Sequence, residues 1–151
     1  MKLSSPAFEE SGKIPAKYTC DGANINPPLE ISDVPSTTKS LALIMEDPDV
    51  PKDLRPDGMW DHWVVFNIPP GTAEIPEGQE PPGTHGSGTS GNQNYFGPCP
   101  PDREHRYFFK LFALDRELDL HEKATKPELE KAMEGHVLEK TELMGRYERS
   151  G

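Results

Sequence analysis

Apolar residues in this chain fall into short runs, separated by long stretches rich in proline, glycine and polar residues. The clearest runs are Ser40-Leu41-Ala42-Leu43-Ile44-Met45-Glu46, closed by Asp47-Pro48, and Trp60 to Ile68, closed by Pro69-Pro70-Gly71. Runs this short, stopped by proline, predict buried strands. A third, Arg106 to Leu114, carries Tyr107, Phe108, Phe109 and Phe112, and predicts a central strand buried on both faces. Met1 to Phe8 is short and strand-like, and Leu29-Glu30-Ile31 alternates.

One helix is well marked. Thr125 and Glu128 have the spacing of a capping box, and Pro127 fits the first turn. Leu129, Ala132 and Met133 share one face, and Gly135 is placed to end the helix. From Val137 to Tyr147 the pattern alternates and predicts a final strand, with a continued helix as the rival. A further helical turn near residues 115–122 is a candidate. Residues 11–28 and 69–104 are irregular by pattern. An irregular stretch as long as the second, inside a compact domain, tends to be functional when ordered.

Composition sharpens this picture. With 17 prolines and 13 glycines in 151 residues and only 33% apolar content, a helical bundle is hard to build, and composition favours short strands joined by turn-rich loops. The length suits one domain over residues 1–151. The net charge of −10 argues against sequence-independent nucleic-acid binding, because no basic stripe is present. No apolar run reaches the ~18–20 residues of a membrane span. The start has no apolar core of signal-peptide length, so a cytoplasmic protein is expected. Cys20 and Cys99 lie far apart in sequence, which excludes a CxxC site, and reduced thiols are expected.

Polar residues concentrate at three strand ends: Asp47-Pro48-Asp49, Trp60-Asp61-His62-Trp63, and the pair of segments Tyr95 to Pro101 and His105-Arg106-Tyr107. Three chemistries fit them. In the first, His62 and His105 donate to an oxyanion while Asp47 or Asp49 orients an imidazole and favours its charged form. In the second, His and Asp ligate a metal, although no pair has tight ligand spacing. In the third, Cys99 is a nucleophile beside His and Asp, although flanking Pro98 and Pro100 suit a rigid wall better. Simpler readings exist for each part. Asp-Pro-Asp can be only a turn, Trp60 and Trp63 can be core, and a lone His at a strand start is usually a satisfied polar group. His85, His121 and His136 are read as structural.

Together these residues resemble the phosphatidylethanolamine-binding protein, or Raf kinase inhibitor-like, family, and within it the bacterial and archaeal YbhB/YbcL branch. The resemblance rests on Cys20-Asp21-Gly22, Asn24, Pro27-Pro28-Leu29, Asp47-Pro48-Asp49 with Pro51, His62-Trp63, Tyr95 with Gly97-Pro98-Cys99-Pro100-Pro101, and His105-Arg106-Tyr107. These motifs come in the family's order and span most of the chain. Ile31 departs from the pattern, since the branch often has Trp there. The chain is shorter than eukaryotic members, so their kinase-partner functions do not carry over.

The resemblance implies a mainly β fold: a β-sandwich with a large central sheet, a smaller sheet and one or two peripheral helices. It implies a small pocket for phosphate-type anions, lined by Asp47, Asp49, His62, Pro100, Pro101, His105 and Tyr107, with Trp60 and Cys99 beside them. The function expected is non-enzymatic binding, with no catalytic residue, metal or cofactor. A surface regulator of a serine protease or kinase is the alternative, and a hydrolase a distant third. A homodimer is expected, with Cys99 a reduced thiol packed beside the pocket.

Overall fold

The computed structural model describes residues 1–149, and Ser150 and Gly151 lie outside the described residues. Eight strands and one α-helix are present among them. In chain order these are β1 (Lys2–Ser4), β2 (Leu29–Ser32), β3 (Ser40–Asp47), β4 (Trp60–Ile68), β5 (Glu74–Ile75), β6 (Thr84–His85), β7 (His105–Leu114), α1 (Lys126–Met133) and β8 (Val137–Tyr147). A single 3-10 turn spans Ala16–Tyr18. The strands form two antiparallel sheets. The larger has the order β6-β4-β3-β7-β8 and the smaller the order β1-β2-β5. The mainly β sandwich with a large sheet, a small sheet and a peripheral helix is therefore what the chain adopts.

Strand β3 lies at the centre of the large sheet and is buried along its whole length. Its odd residues Leu41, Leu43 and Met45 pack between the sheets with Trp63, Val65, Tyr107, Phe109 and Leu111. Leu29, Ile31 and Ile75 close that core from the small sheet. The even residues Ala42 and Ile44 face the other way, with Val64, Phe66 and Leu114, beneath Leu129 and Met133 of α1. Burial on both faces is why β3 reads as a continuous apolar run rather than an alternating one.

The helix begins as expected: the Thr125 N–H donates to Glu128 Oε1 at 3.0 Å, and Pro127 sits in the first turn. Past Gly135, at φ +79°, the chain turns into β8 rather than continuing the helix. Pairing with β7 along nearly the whole strand settles that choice. Leu143, Gly145 and Tyr147 point into the core, and a Cβ at Gly145 would stand 2.5 Å from Ile14 Cγ1. The candidate turn near 115–122 is not helical. The Leu118 backbone is instead held on both sides by Asn67, whose Oδ1 accepts its N–H at 2.7 Å and whose Nδ2 donates to its carbonyl at 2.9 Å. Met1 to Phe8 supplies only a three-residue strand. The long 69–104 segment contributes the two short strands β5 and β6.

Candidate functional site

In an antiparallel sheet, the end of one strand lies beside the starts of its neighbours. Asp47 ends β3, opposite Trp60, which starts β4. His105 starts β7 on the other side of β3. This mouth of the sheet carries a cavity of about 250 Å³. Its polar lining is Asp47, His62, His105 and Tyr107, and its walls include Val50, Leu54, Trp60, Phe96, Cys99, Pro100 and Pro101. Eight of the nine expected binding residues thus line one cavity.

The ninth, Asp49, does not. Its Oδ1 and Oδ2 accept a two-pronged bond from Arg106 Nη2 and Nε at 2.8 and 2.9 Å, and Oδ2 also accepts the Arg106 N–H at 2.8 Å. The Arg106 guanidinium holds the Asp49 carboxyl below the usual carboxylate range. Asp49 also offers its own N–H to Asp47 Oδ1 at 2.8 Å. It therefore splints the loop after β3 to the start of β7, and orients Asp47 from behind.

His105 is fully buried between two carboxylates. Its Nδ1 lies 2.6 Å from Asp47 Oδ2, and its Nε2 lies 2.7 Å from Asp102 Oδ1. A ring carrying both protons satisfies both contacts as charge-assisted N–H···O bonds. Burial raises the Asp47 carboxyl above its ordinary value, against the opposing pull of the His105 bond. The His105 bond lowers that of exposed Asp102. Asp47 orients His105 as expected. However, both ring nitrogens are already engaged, so His105 has no N–H left to give an oxyanion. The expectation that it donates to a ligand is corrected.

His62 departs from expectation in a different way. Its Nδ1 lies 2.7 Å from the Phe96 carbonyl oxygen, so Nδ1–H is the donor and Nε2 keeps its lone pair. Burial drives its pKa down to about 4, the nearby His105 adds to that, and the bond to Phe96 only partly opposes it. At neutral pH His62 is an uncharged ring that presents an acceptor, not the charged donor expected.

Tyr107 keeps its phenolic proton. It is fully buried, and its hydroxyl has no hydrogen-bond partner. Burial first, and then the charge of Asp47, push its phenol far above the ordinary value, so it remains an O–H donor. An orphaned buried hydroxyl costs about 1–3 kcal/mol; Tyr107 is one of the residues lining the cavity, and its hydroxyl is sealed from solvent beside Asp47.

The expected free thiol is also corrected. Cys20 and Cys99 form a disulfide with Cα atoms 5.4 Å apart. Three hydrogen bonds align the two segments. The Cys20 N–H donates to the Pro98 carbonyl at 3.1 Å, and the Gly97 N–H to Asn24 Oδ1 at 2.7 Å. The Tyr95 hydroxyl donates to the Tyr18 carbonyl at 2.8 Å. Gly97 permits the approach, since a Cβ there would stand 2.1 Å from the Tyr18 oxygen. These contacts bring two cysteines 79 residues apart into bonding range, and they remove Cys99 as a nucleophile.

Some contributors carried no signal along the chain. Glu80 takes the Trp63 indole N–H at 2.8 Å and the Tyr95 N–H at 2.9 Å, and so positions the strand and loop that bear His62 and Phe96. Asp102 belongs to none of the motifs, and Val50 and Leu54 lie in a stretch with no apolar period. Behind the sheet, the buried Lys126 lies 2.9 Å from Asp61 and 3.3 Å from Glu46, which also pairs with Lys110 at 3.2 Å. Among the described residues, no group of three or more His, Cys, Asp or Glu side chains is arranged to hold a metal ion.

Comparison with known proteins now bears on this geometry. A profile of the family described as phosphatidylethanolamine-binding protein matches residues 4–148. The chain belongs to the phosphatidylethanolamine-binding protein family. It is 54% identical to a UPF0098 protein of Chlamydia pneumoniae, over 99% of this chain and 100% of the relative. It is 49% identical to a UPF0098 protein of Methanothermobacter thermautotrophicus, over 99% of each. The crystal structure of a phosphatidylethanolamine-binding protein homologue from Chlamydia trachomatis superposes with a TM-score of 0.96 at 48% identity, covering 98% of this chain and 97% of that one. Escherichia coli YbcL, described as a new member of the mammalian family, superposes with a TM-score of 0.87 at 26% identity, covering 99% and 98%. No helix among the described residues is long and apolar enough to cross a membrane.

Proposed function

We propose that this protein, one domain over residues 1–151, is a family-type binding protein whose cavity takes a phosphoryl-type oxyanion without turning it over. The observation that carries this reading is the cavity of about 250 Å³ at the sheet mouth, whose lining includes the Trp60 indole donor, the His62 ring and the Asp47–His105 pair. An oxyanion supplies an acceptor for the donors around it. The neighbouring charges leave room for one. Asp47, Asp49 and Asp102 are each engaged, Asp49 by Arg106, Asp102 by Arg103 and the His105 ring, and Asp47 by the His105 ring, through contacts at 2.6 to 3.7 Å. Binding without turnover is supported by Cys99, whose sulfur is spent in the bridge.

The bridge bears on location as well. Disulfides persist most readily in oxidising compartments, which weighs against the cytoplasmic placement. A homodimer belongs to the same reading, supported by exposed Val137 and Leu138 on β8, the last strand of the large sheet. Light scattering that returns one chain's 16.8 kDa at micromolar concentration counts against it.

The test is a phosphate titration followed by amide NMR on wild type and Trp60→Phe. A hydrogen bond to a charged group contributes about 1.5–3 kcal/mol, so the variant should bind roughly ten- to a hundredfold more weakly while keeping its spectrum. Absence of binding to wild type, or equal affinity for both proteins, overturns the reading.

A further inference from the structure

We infer that the Cys20–Cys99 bridge is a reversible thiol–disulfide site, open to dithiol reductants from the cavity side, and that its redox state sets how firmly the loop at Phe96 to Asp102 holds the two cavity histidines, whatever ligand the cavity takes.

The bridge stands apart from the packed interior. Both cysteines are partly exposed, and neither belongs to an apolar core. Cys99 lines the cavity at the sheet mouth, so one half of the bridge borders a space of about 250 Å³ that a small thiol can enter. Exposed disulfides are the more easily reduced ones, because a thiolate must reach one of the sulfurs.

The chain on either side is held without the sulfurs. The Ile14 N–H donates to the Arg146 carbonyl and the Arg146 N–H to the Gly12 carbonyl, each at 2.8 Å. Ile14 and Tyr18 are buried in the core between the sheets. Across the bridge, the Tyr95 N–H donates to Glu80 at 2.9 Å and its hydroxyl to the Tyr18 carbonyl at 2.8 Å. Breaking the bridge therefore leaves both segments anchored and the two cysteines near enough to re-form it.

The stretch from Gly97 to Asp102 is less well tied. Pro98, Pro100 and Pro101 have no N–H to give. Its links to the 11–28 segment are the bridge, the Gly97 N–H on Asn24 Oδ1 at 2.7 Å, and the Pro98 carbonyl that accepts the Cys20 N–H at 3.1 Å. At one end Phe96 accepts the His62 Nδ1–H at 2.7 Å, and at the other Asp102 accepts from His105 Nε2 at 2.7 Å. Slack introduced between those ends reaches both rings.

The exchange balances with a dithiol. One reductant thiolate attacks the Cys99 sulfur, and Cys20 leaves as a thiolate that takes up a proton. The second reductant thiol then attacks the reductant sulfur of the mixed disulfide and releases Cys99. The reductant ends as a disulfide, two electrons having passed to the bridge, and an oxidised dithiol reverses the steps.

The test titrates the full chain with dithiothreitol in native buffer at pH 7.5, read by alkylation with mass spectrometry, amide NMR and hydrogen exchange. Both thiols should become alkylatable while the spectrum stays dispersed. Exchange at the Cys20 and Gly97 amides should quicken at least tenfold, and that of Leu43 and Ile44 in β3 should not change. The His62 ring resonances should shift, and oxidised dithiothreitol should restore them. A Cys20→Ser, Cys99→Ser double variant should match the reduced wild type without reductant. With glutathione, peptide mapping should find the mixed disulfide on Cys99 rather than Cys20. Thiols that react only in denaturant, a reduced chain that loses its dispersion, or one that keeps the exchange rates and His62 signals of the oxidised chain overturns the inference. A glutathione adduct on Cys20 overturns the cavity-side approach.

Discussion

His105 Nδ1 and Asp47 Oδ2 meet at 2.6 Å in the buried mouth of the large sheet, although 58 residues separate them along the chain. The contact joins the end of β3 to the start of β7. Removing one partner leaves the other charge buried, and a loss of this kind typically costs about 3–5 kcal/mol. Asp47→Asn keeps the shape and loses the charge. Its unfolding free energy in urea should fall by about 3 kcal/mol, and a change below about 0.5 kcal/mol would show that Asp102 alone suffices to hold the ring.

His62 makes stability depend on pH. Its folded pKa of about 4 lies below the ordinary 6.5, so the unfolded chain takes up a proton that the folded chain refuses. The contribution is complete above pH 6.5 and is lost as pH falls towards 4. The loss reaches roughly 3 kcal/mol at pH 4, from about 1.36 kcal/mol per pKa unit. Urea unfolding of wild type and His62→Asn between pH 4 and 7.5 isolates this share. The two curves should converge at acid pH, and parallel curves would refute the assignment.

The bridge between Cys20 and Cys99 closes a long loop, so it restricts the unfolded chain strongly. The Cys20→Ser, Cys99→Ser double variant should lose about 2–4 kcal/mol. Protein purified without reductant should show no reactive thiol when denatured. Two reactive thiols under those conditions would contradict the bridge.

Behind the sheet, Lys126→Met strands Glu46 and Asp61 without their buried cation. A destabilisation of about 3 kcal/mol is expected. For a chain of this size, that is a fall in Tm of roughly 6–12 °C by calorimetry. An unchanged Tm would show that Lys110 alone neutralises Glu46.

The loop wall rests on a glycine. Gly97→Ala drives a Cβ to 2.1 Å from the Tyr18 oxygen and 2.6 Å from Asn24 Oδ1. The 11–28 segment and the cavity wall must then separate. A drop in Tm of several degrees should accompany the loss of any phosphate-induced NMR shifts.

Much of this fold is written in local pattern. The runs at Ser40 to Glu46 and Trp60 to Ile68 declare strands, because burial on both faces leaves little room for polar alternation. Arg106 to Leu114 reads as central and buried on both faces, but it lies next to the edge strand β8, and its face with Arg106, Phe108, Lys110 and Phe112 is only partly covered. Thr125, Pro127 and Glu128 declare a helix start, because a cap needs only neighbours within one turn. The polar residues at strand ends also mark the cavity, since antiparallel strands bring such ends together. The state of each group there is a different matter. Whether His62 gives or takes a proton is decided by a carbonyl 34 residues away. His105 is spent on Asp47 and Asp102, and Asp49 is turned from the cavity by Arg106. The two cysteines meet only because Gly97, Asn24 and Tyr95 align their segments. The strand at Val137 to Tyr147 won over a helix through pairing with β7. Periodicity reports which face of an element is buried. Protonation, pairing and orientation depend on partners distant in sequence, and only the packed chain brings those within 3 Å.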